Sequence, residues 1–318
     1  MAKKSFIQGA AVLAAAGLLV KVLGAIFRIP LGNMIGTIGM ANYNPAYYVY
    51  NFFLILATAG IPVAISRMVS ERVSFGQFGE AHRVFKISRT LMLAIGGVSF
   101  LVVFFGADFF AEASNVPGAA LAMRAISPAL LFVPIMASYR GYFQGMQDMK
   151  PTAVSQVVEQ IFRVVVGLSL AYFFFQSAES LGAVSKFSPE ESGAAGATLG
   201  AAAGAIGGLL VMLIVYMLNK NKIKTRISRE RRGMRGGRES SSTILKKIAV
   251  IAIPITIGAA IMPIVNLIDV AVVTRRLVDT GWDVAVANDM YGQLSAFAGS
   301  LINLSLIHIF RNLSGVCR

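Results

Sequence analysis

Six ionisable side chains stand inside stretches that are otherwise apolar: Lys21, Arg28, Arg124, Glu159, Arg163 and Asp269. A charge at the centre of a hydrocarbon layer costs from about 2.5 kcal/mol upward, so each should face protein or a water-filled cavity. Lys21 and Arg28 are seven residues apart, close to two helical turns, and share one face. Lys21 lies too deep to reach the nearer surface easily and reads as a cavity residue, whereas Arg28 can snorkel outward. Gln156, Glu159, Gln160 and Arg163 fall at i, i+3, i+4 and i+7, a single polar stripe. Glu159 and Arg163 are spaced to pair within that helix. The stripe is either a self-satisfied pair packed between helices or the wall of a wet cavity. Arg124 reads as a substrate contact or as a headgroup anchor. Asn266 and Asp269, at i and i+3, carry an acid that can hold a proton or coupling cation, or be satisfied by a neighbour. Four of the six charges are cationic. Such a cavity suits an anionic ligand, diphosphates above all, because Lys and Arg are the usual phosphate partners.

The elements that must position these residues follow from composition. Of 318 residues, 56% are hydrophobic and 14% charged, against roughly a quarter charged in soluble domains. The apolar residues come in blocks of about 20, enough to cross a ~30 Å hydrocarbon core. Backbone groups in lipid must pair within their own segment, so the blocks are helices, and they do not alternate as barrel strands would. The fold class is therefore an all-α polytopic membrane protein. Eight spans are expected, at 6–28, 42–66, 88–107, 119–142, 151–176, 194–218, 247–272 and 288–308. The apolar run after Met1 is read as a retained first helix rather than a signal peptide.

The net charge of +14 is a topology signal before it is a ligand signal. With the N-terminus in the cytoplasm, the inner segments hold Lys3 and Lys4, then Arg67, Arg72, Arg83, Lys86 and Arg89, then Arg140 and Lys150, and the basic run from Lys220 to Lys247. The outer loops hold mostly acids, such as Asp108, Glu112, Glu190 and Asp283. This is the positive-inside pattern. The segment 219–246 is expected to be a flexible basic linker on the anionic inner leaflet. It has no aromatic residue to stack a base, so nucleic acid is not its expected partner. It divides the chain into a six-helix lobe (1–218) and the first two helices of a second lobe (247–308). The single cysteine, Cys317, gives no disulfide framework. No metal-ligand spacing, P-loop or dinucleotide fingerprint is present, so no cofactor is expected.

Other features concern packing. Pro62, Pro128, Pro134, Pro254 and Pro263 lie inside spans and should break or kink them. Gly196, Gly200, Gly204 and Gly208 recur every fourth residue, a face for close helix contact. Tyr43, Tyr47, Tyr48 and Tyr50 read as an interfacial belt, with a sugar platform as the alternative.

Four stretches carry a family resemblance: Lys21 to Gly36, Gly60 to Glu71, Tyr139 to Gln160, and Pro254 with Pro263, Asn266 and Asp269. They resemble the multidrug/oligosaccharidyl-lipid/polysaccharide exporter superfamily. The third stretch is most like its stage V sporulation protein B group, relatives of the lipid II flippase. The resemblance reaches about residue 300. It implies two helical lobes around a central cavity in the bacterial cytoplasmic membrane. It further implies a transporter, not an enzyme, that flips undecaprenyl-diphosphate-linked sugars by alternating access without ATP. The partners implied are that lipid-linked oligosaccharide, membrane lipids, and a coupling cation or proton. Basic residues of the family's first helix line the cavity, and Lys21 and Arg28 match them; Lys21 stands where many relatives carry Arg. The family has twelve to fourteen helices, and the ending from Leu306 to Arg318 does not resemble it. A truncated or frame-shifted reading, with a non-native tail at 309–318, is therefore expected. A cation-coupled drug exporter of the same superfamily is the alternative, but it would want acids in the cavity. A membrane glycosyltransferase would need a larger outer segment than 177–193, and a scaffold would have no need of charged helix faces.

Overall fold

A computed structural model describes residues 2–184, 186–231 and 239–293. The described residues form helices and turns without strands: α1 (Ala2–Thr58), α2 (Ile61–Ser74), α3 (Phe78–Phe105), α4 (Ala107–Ala113), α5 (Ala119–Ile126), α6 (Ala129–Gly145), α7 (Lys150–Leu181), α8 (Pro189–Arg231), α9 (Ser241–Asp279) and α10 (Val284–Gln293).

The first two expected spans lie in one helix interrupted at Gly36, whose φ of 67° and ψ of −174° are not helical. A residue with a Cβ resists that backbone; glycine does not. The interruption doubles the chain back. In an unbroken helix Arg28 and Asn44 would lie about 24 Å apart at 1.5 Å per residue, yet Arg28 Nη2 donates to Asn44 Oδ1 at 2.7 Å. Phe27 and Tyr43 likewise bring their ring centroids within 6.3 Å.

A second break, at Ala59–Gly60, separates α1 from α2, and Pro62 sits in the first turn of α2. Pro128 stands at the N-cap of α6 and splits the expected fourth span into α5 and α6. These two prolines start helices, where the missing N–H costs nothing, while Pro134, Pro254 and Pro263 lie within helices.

The glycine face of α8 packs against α7 as its spacing predicts. A Cβ on Gly196 would overlap the Leu170 carbonyl, one on Gly200 would meet Gly167, and one on Gly204 would meet the Glu159 carbonyl. The backbones thus approach too closely for any side chain along this seam, which holds the polar stripe of α7 rigidly.

The segment expected as a flexible linker is partly helical. α8 continues to Arg231 and α9 begins at Ser241. Lys and Arg are good helix formers, so an established helix propagates through them. Arg226 also lies over the Phe78 ring, 5.5 Å from its centroid, and ties the extension to α3. Residues 232–238 lie outside the described residues, as do most of the eighth expected span beyond Gln293 and the tail at 309–318.

α9 lies along the earlier helices. Gly60 abuts the backbone of Ala252, and Thr274 Oγ1 donates to the Ser114 carbonyl at 3.3 Å. Between α9 and the α1–α3 helices is an apolar cavity of about 450 Å³ lined by Leu56, Ile61, Leu91, Ile248 and Ile257, among others. The outer surface is apolar: Val98, Phe105, Val165, Phe173, Leu210 and Met262 are exposed. Six described segments are long and apolar enough to cross a bilayer, and the first, Gln8–Ser74, is long enough to do so twice. Exposed apolar surface on this scale belongs against lipid, and the chain is a multi-pass membrane protein.

Candidate functional site: a cation and tyrosine cluster

The polar stripe of α7 is the centre of the site. Glu159 accepts from Arg140 of α6, Nη2 to Oε2 at 2.9 Å, and from Arg163, Nη2 to Oε1 at 3.4 Å. The side chains of Glu159, Arg140 and Arg163 are 14%, 14% and 16% exposed. Arg140 is further held by Ser155, Nε to Oγ at 2.9 Å. The i, i+4 pair expected from spacing therefore forms, and a third member joins it. In the sequence Arg140 reads as an inner anchor because nothing local links it to Glu159, nineteen residues on; only the packing of α6 on α7 does so. One carboxylate serves two guanidinium groups, so the cluster keeps a net positive charge.

Gln160 is buried and Gln156 half-buried on the same stripe. Gly24 of α1 faces Gln160, whose Nε2 lies 3.7 Å from where a Gly24 Cβ would be. Lys21 and Arg28 lie three and four residues either side of Gly24, on the same face of α1. Arg28 is half-buried and bonded to Asn44, while Lys21 is exposed. Arg124 stands apart: it is paired with Asp108 across the α4–α5 joint. On α9, Asn266 is half-buried and Asp269 exposed. Asp269 and Arg28 both lie within electrostatic reach of Tyr291, which hydrogen-bonds Tyr48.

The tyrosines do not form a lipid-facing belt. Tyr43 and Tyr50 are 7% and 1% exposed, and Tyr47 and Tyr48 are half-buried. Tyr43, Tyr47 and Tyr50 all lie within electrostatic reach of Arg163. Their i, i+4, i+7 spacing could have placed them on one inward face; the generic preference of Tyr for interfaces concealed this. Three polar atoms here have no protein partner among the described residues: Arg163 Nε, Tyr50 Oη and Gln156 Oε1. A buried donor or acceptor left unpaired costs about 1–3 kcal/mol, so such atoms mark where water or a ligand bonds.

A second ionic cluster sits where α2, α3 and α9 meet, at the linker end of the molecule. Glu239 accepts from Arg72 Nη2 at 2.5 Å and from Lys247 Nζ, while Arg83 donates to its backbone carbonyl. Ser240 caps α9, accepting from the Thr243 N–H at 3.2 Å. The Lys247 hydrogen bond, with the charge and hydrogen bond of Arg72, holds the Glu239 carboxyl below the ordinary carboxylate range against the opposing effect of burial.

With this geometry in view, the family comparison is direct. Residues 6–308 match the family described as "Polysaccharide biosynthesis protein". The chain belongs to that family. It is 32% identical over 306 residues to "Lipid II flippase MurJ" of Bacillus subtilis (strain 168), covering 93% of this chain and 54% of the relative. It is 28% identical over 307 residues to "Stage V sporulation protein B" of the same organism, covering 96% and 56%. The chain thus spans about half the length of these curated relatives. Two solved structures share the fold at 15% identity. One is titled "Inward-facing conformation of a multidrug resistance MATE family transporter of the MOP superfamily", with a TM-score of 0.57 over 89% of this chain and 63% of that one. The other, a MOP superfamily transporter from Pyrococcus furiosus, has a TM-score of 0.61 over 95% and 65%. Together they place the chain in the multidrug/oligosaccharidyl-lipid/polysaccharide exporter superfamily.

Proposed function

We propose that this chain is the cation-lined part of a flippase that moves an undecaprenyl-diphosphate-linked sugar precursor, lipid II or a related intermediate, across the cytoplasmic membrane. The N-terminus and linker end are cytoplasmic in this reading, and transport proceeds by alternating access between the lobe before the linker and the lobe that α9 begins. The observation that carries it is the charge of the site. Arg140 and Arg163 share one carboxylate, Glu159, and Lys21 and Arg28 stand on the face of α1 whose Gly24 meets the same stripe at Gln160. That surplus attracts a diphosphate and repels the cations a drug exporter carries. Guanidinium groups bind phosphate oxygens bidentately, which suits two arginines sharing a single carboxylate. The kinship to a lipid II flippase supports the same substrate class.

The test is native mass spectrometry of the purified chain offered undecaprenyl diphosphate bearing a sugar, and separately a cationic drug. Arg28→Gln and Arg163→Gln should each weaken lipid binding by about tenfold or more, the worth of a charge-assisted hydrogen bond. Binding of the drug alone, or lipid binding indifferent to both substitutions, overturns the reading.

A further inference from the structure

Tyr43, Tyr47 and Tyr50 form a ladder along one face of the second half of α1. Tyr43 and Tyr47 stack with centroids 5.9 Å apart and planes at 15°, and Tyr47 and Tyr50 lie 5.8 Å apart at 49°. The two end rungs are buried and the middle one, Tyr47, is half-buried. If the ladder were packing alone, phenylalanine would serve as well at Tyr50, whose buried hydroxyl has no protein partner. The hydroxyl and the spare Arg163 N–H lie within electrostatic reach of each other, and both remain to be satisfied by a further group.

The neighbourhood restricts what that group is. The negative faces of aromatic rings attract cations, but Arg163 lies within electrostatic reach of all three tyrosines and its charge disfavours a second cation there. A neutral ring with weakly positive C–H faces and hydroxyl groups on its rim meets both requirements, since its faces suit the ring quadrupole and its rim suits Tyr50 and Arg163. A pyranose has that form. In a sugar diphosphate one glycosidic oxygen separates the ring from the phosphate. An aromatic surface next to the cation cluster therefore stands where the first sugar would fall.

We propose that Tyr47 is a specificity-determining residue: it stacks the first sugar ring of a diphosphate-linked substrate, while the Tyr50 hydroxyl and the Arg163 Nε–H bond the ring's hydroxyls. This rests on the proposed diphosphate-lipid reading and adds to it that the site reads the sugar as well as the phosphates.

The experiment titrates wild type, Tyr47→Phe and Tyr47→Leu, each as the 318-residue chain, with two probes: undecaprenyl diphosphate, and the same lipid bearing one N-acetylhexosamine. Wild type should prefer the sugar-bearing lipid. Tyr47→Leu should lose that preference by about five- to tenfold, the worth of one aromatic stack, with binding of the bare lipid unchanged. Tyr47→Phe should behave as wild type, which shows that the ring face matters and that the position tolerates change. Equal binding of both lipids by wild type, or equal loss of both in Tyr47→Leu, overturns the role of Tyr47 while leaving the diphosphate reading standing. Failure of wild type to bind either lipid overturns the diphosphate reading and the platform with it.

Discussion

Two carboxylates among the described residues, Glu159 and Glu239, are each held by two cations, and their settings differ. Glu159 joins Arg140 and Arg163 between α6 and α7, with all three side chains no more than 16% exposed. Glu239 joins Arg72 and Lys247 at the linker end, where Arg72 is 8% exposed but Glu239 is 33% and Lys247 49%. The first cluster lies among the helices before the linker and is closed off by the glycine seam of α8. The second ties the start of α9, after the linker, to α2 and α3. Similar ion chemistry thus does two jobs. Burial makes the inner cluster a fixed element of the candidate site, since any loss leaves an uncompensated charge in low dielectric. Exposure makes the outer cluster weak and responsive to solvent conditions.

The largest expected effect comes from breaking the inner cluster. Glu159→Gln leaves Arg140 and Arg163 without a counter-charge, and removing one partner of a buried pair costs about 3–5 kcal/mol. Thermal unfolding in detergent should fall sharply, and the double variant Glu159→Gln/Arg140→Gln should recover part of the loss, because one orphaned cation is gone. A Glu159→Gln chain as stable as wild type would mean that water, not protein, solvates these groups.

A smaller effect sharpens the comparison without touching any charge. Gly200 meets Gly167 and the Arg163 carbonyl so closely that a Cβ has no space. Gly200→Ala should push α8 from α7 and cost about 1–3 kcal/mol, as overpacking does. If rigidity of the inner cluster comes from this seam, lipid binding should weaken as well, although no ligand group has been altered. Unchanged unfolding and binding would assign the rigidity elsewhere.

These two cases also show what was legible in the sequence. The helices before the linker could be placed because apolar blocks of bilayer length are a strong local signal, and the α7 stripe and the α8 glycines could be read because both are periodic within one helix. Arg140 could not, because its partner is on another helix and its position at the end of a span fits an inner anchor equally well. The tyrosine ladder was misplaced for a similar reason: the break at Gly36 decides which way Tyr43 and Tyr50 point, and composition alone favours the interface. The Glu239 cluster was hidden in a charged, glycine- and serine-rich stretch that resembles a disordered linker, since its order comes from Arg72 and Arg83, more than 150 residues earlier.

The smallest expected effect belongs to the outer cluster and is the one that conditions can tune. Glu239→Gln removes a partly exposed carboxylate and should cost about 1 kcal/mol or less. The Glu239 carboxyl is held below its ordinary value of 4.5. A group depressed in this way contributes stability that is fully present above 4.5 and is lost as pH falls through the lowered value. Wild type and Glu239→Gln should therefore differ at neutral pH and converge in that acid range. Raising salt to about 1 M, where the Debye length is ~3 Å, should shrink the same difference at neutral pH. The Glu159→Gln deficit should persist in that salt, since buried pairs are screened far less. Were both deficits to vanish together, the two clusters would be equally open to solvent, and the contrast between a fixed inner site and a yielding contact with α9 would fail.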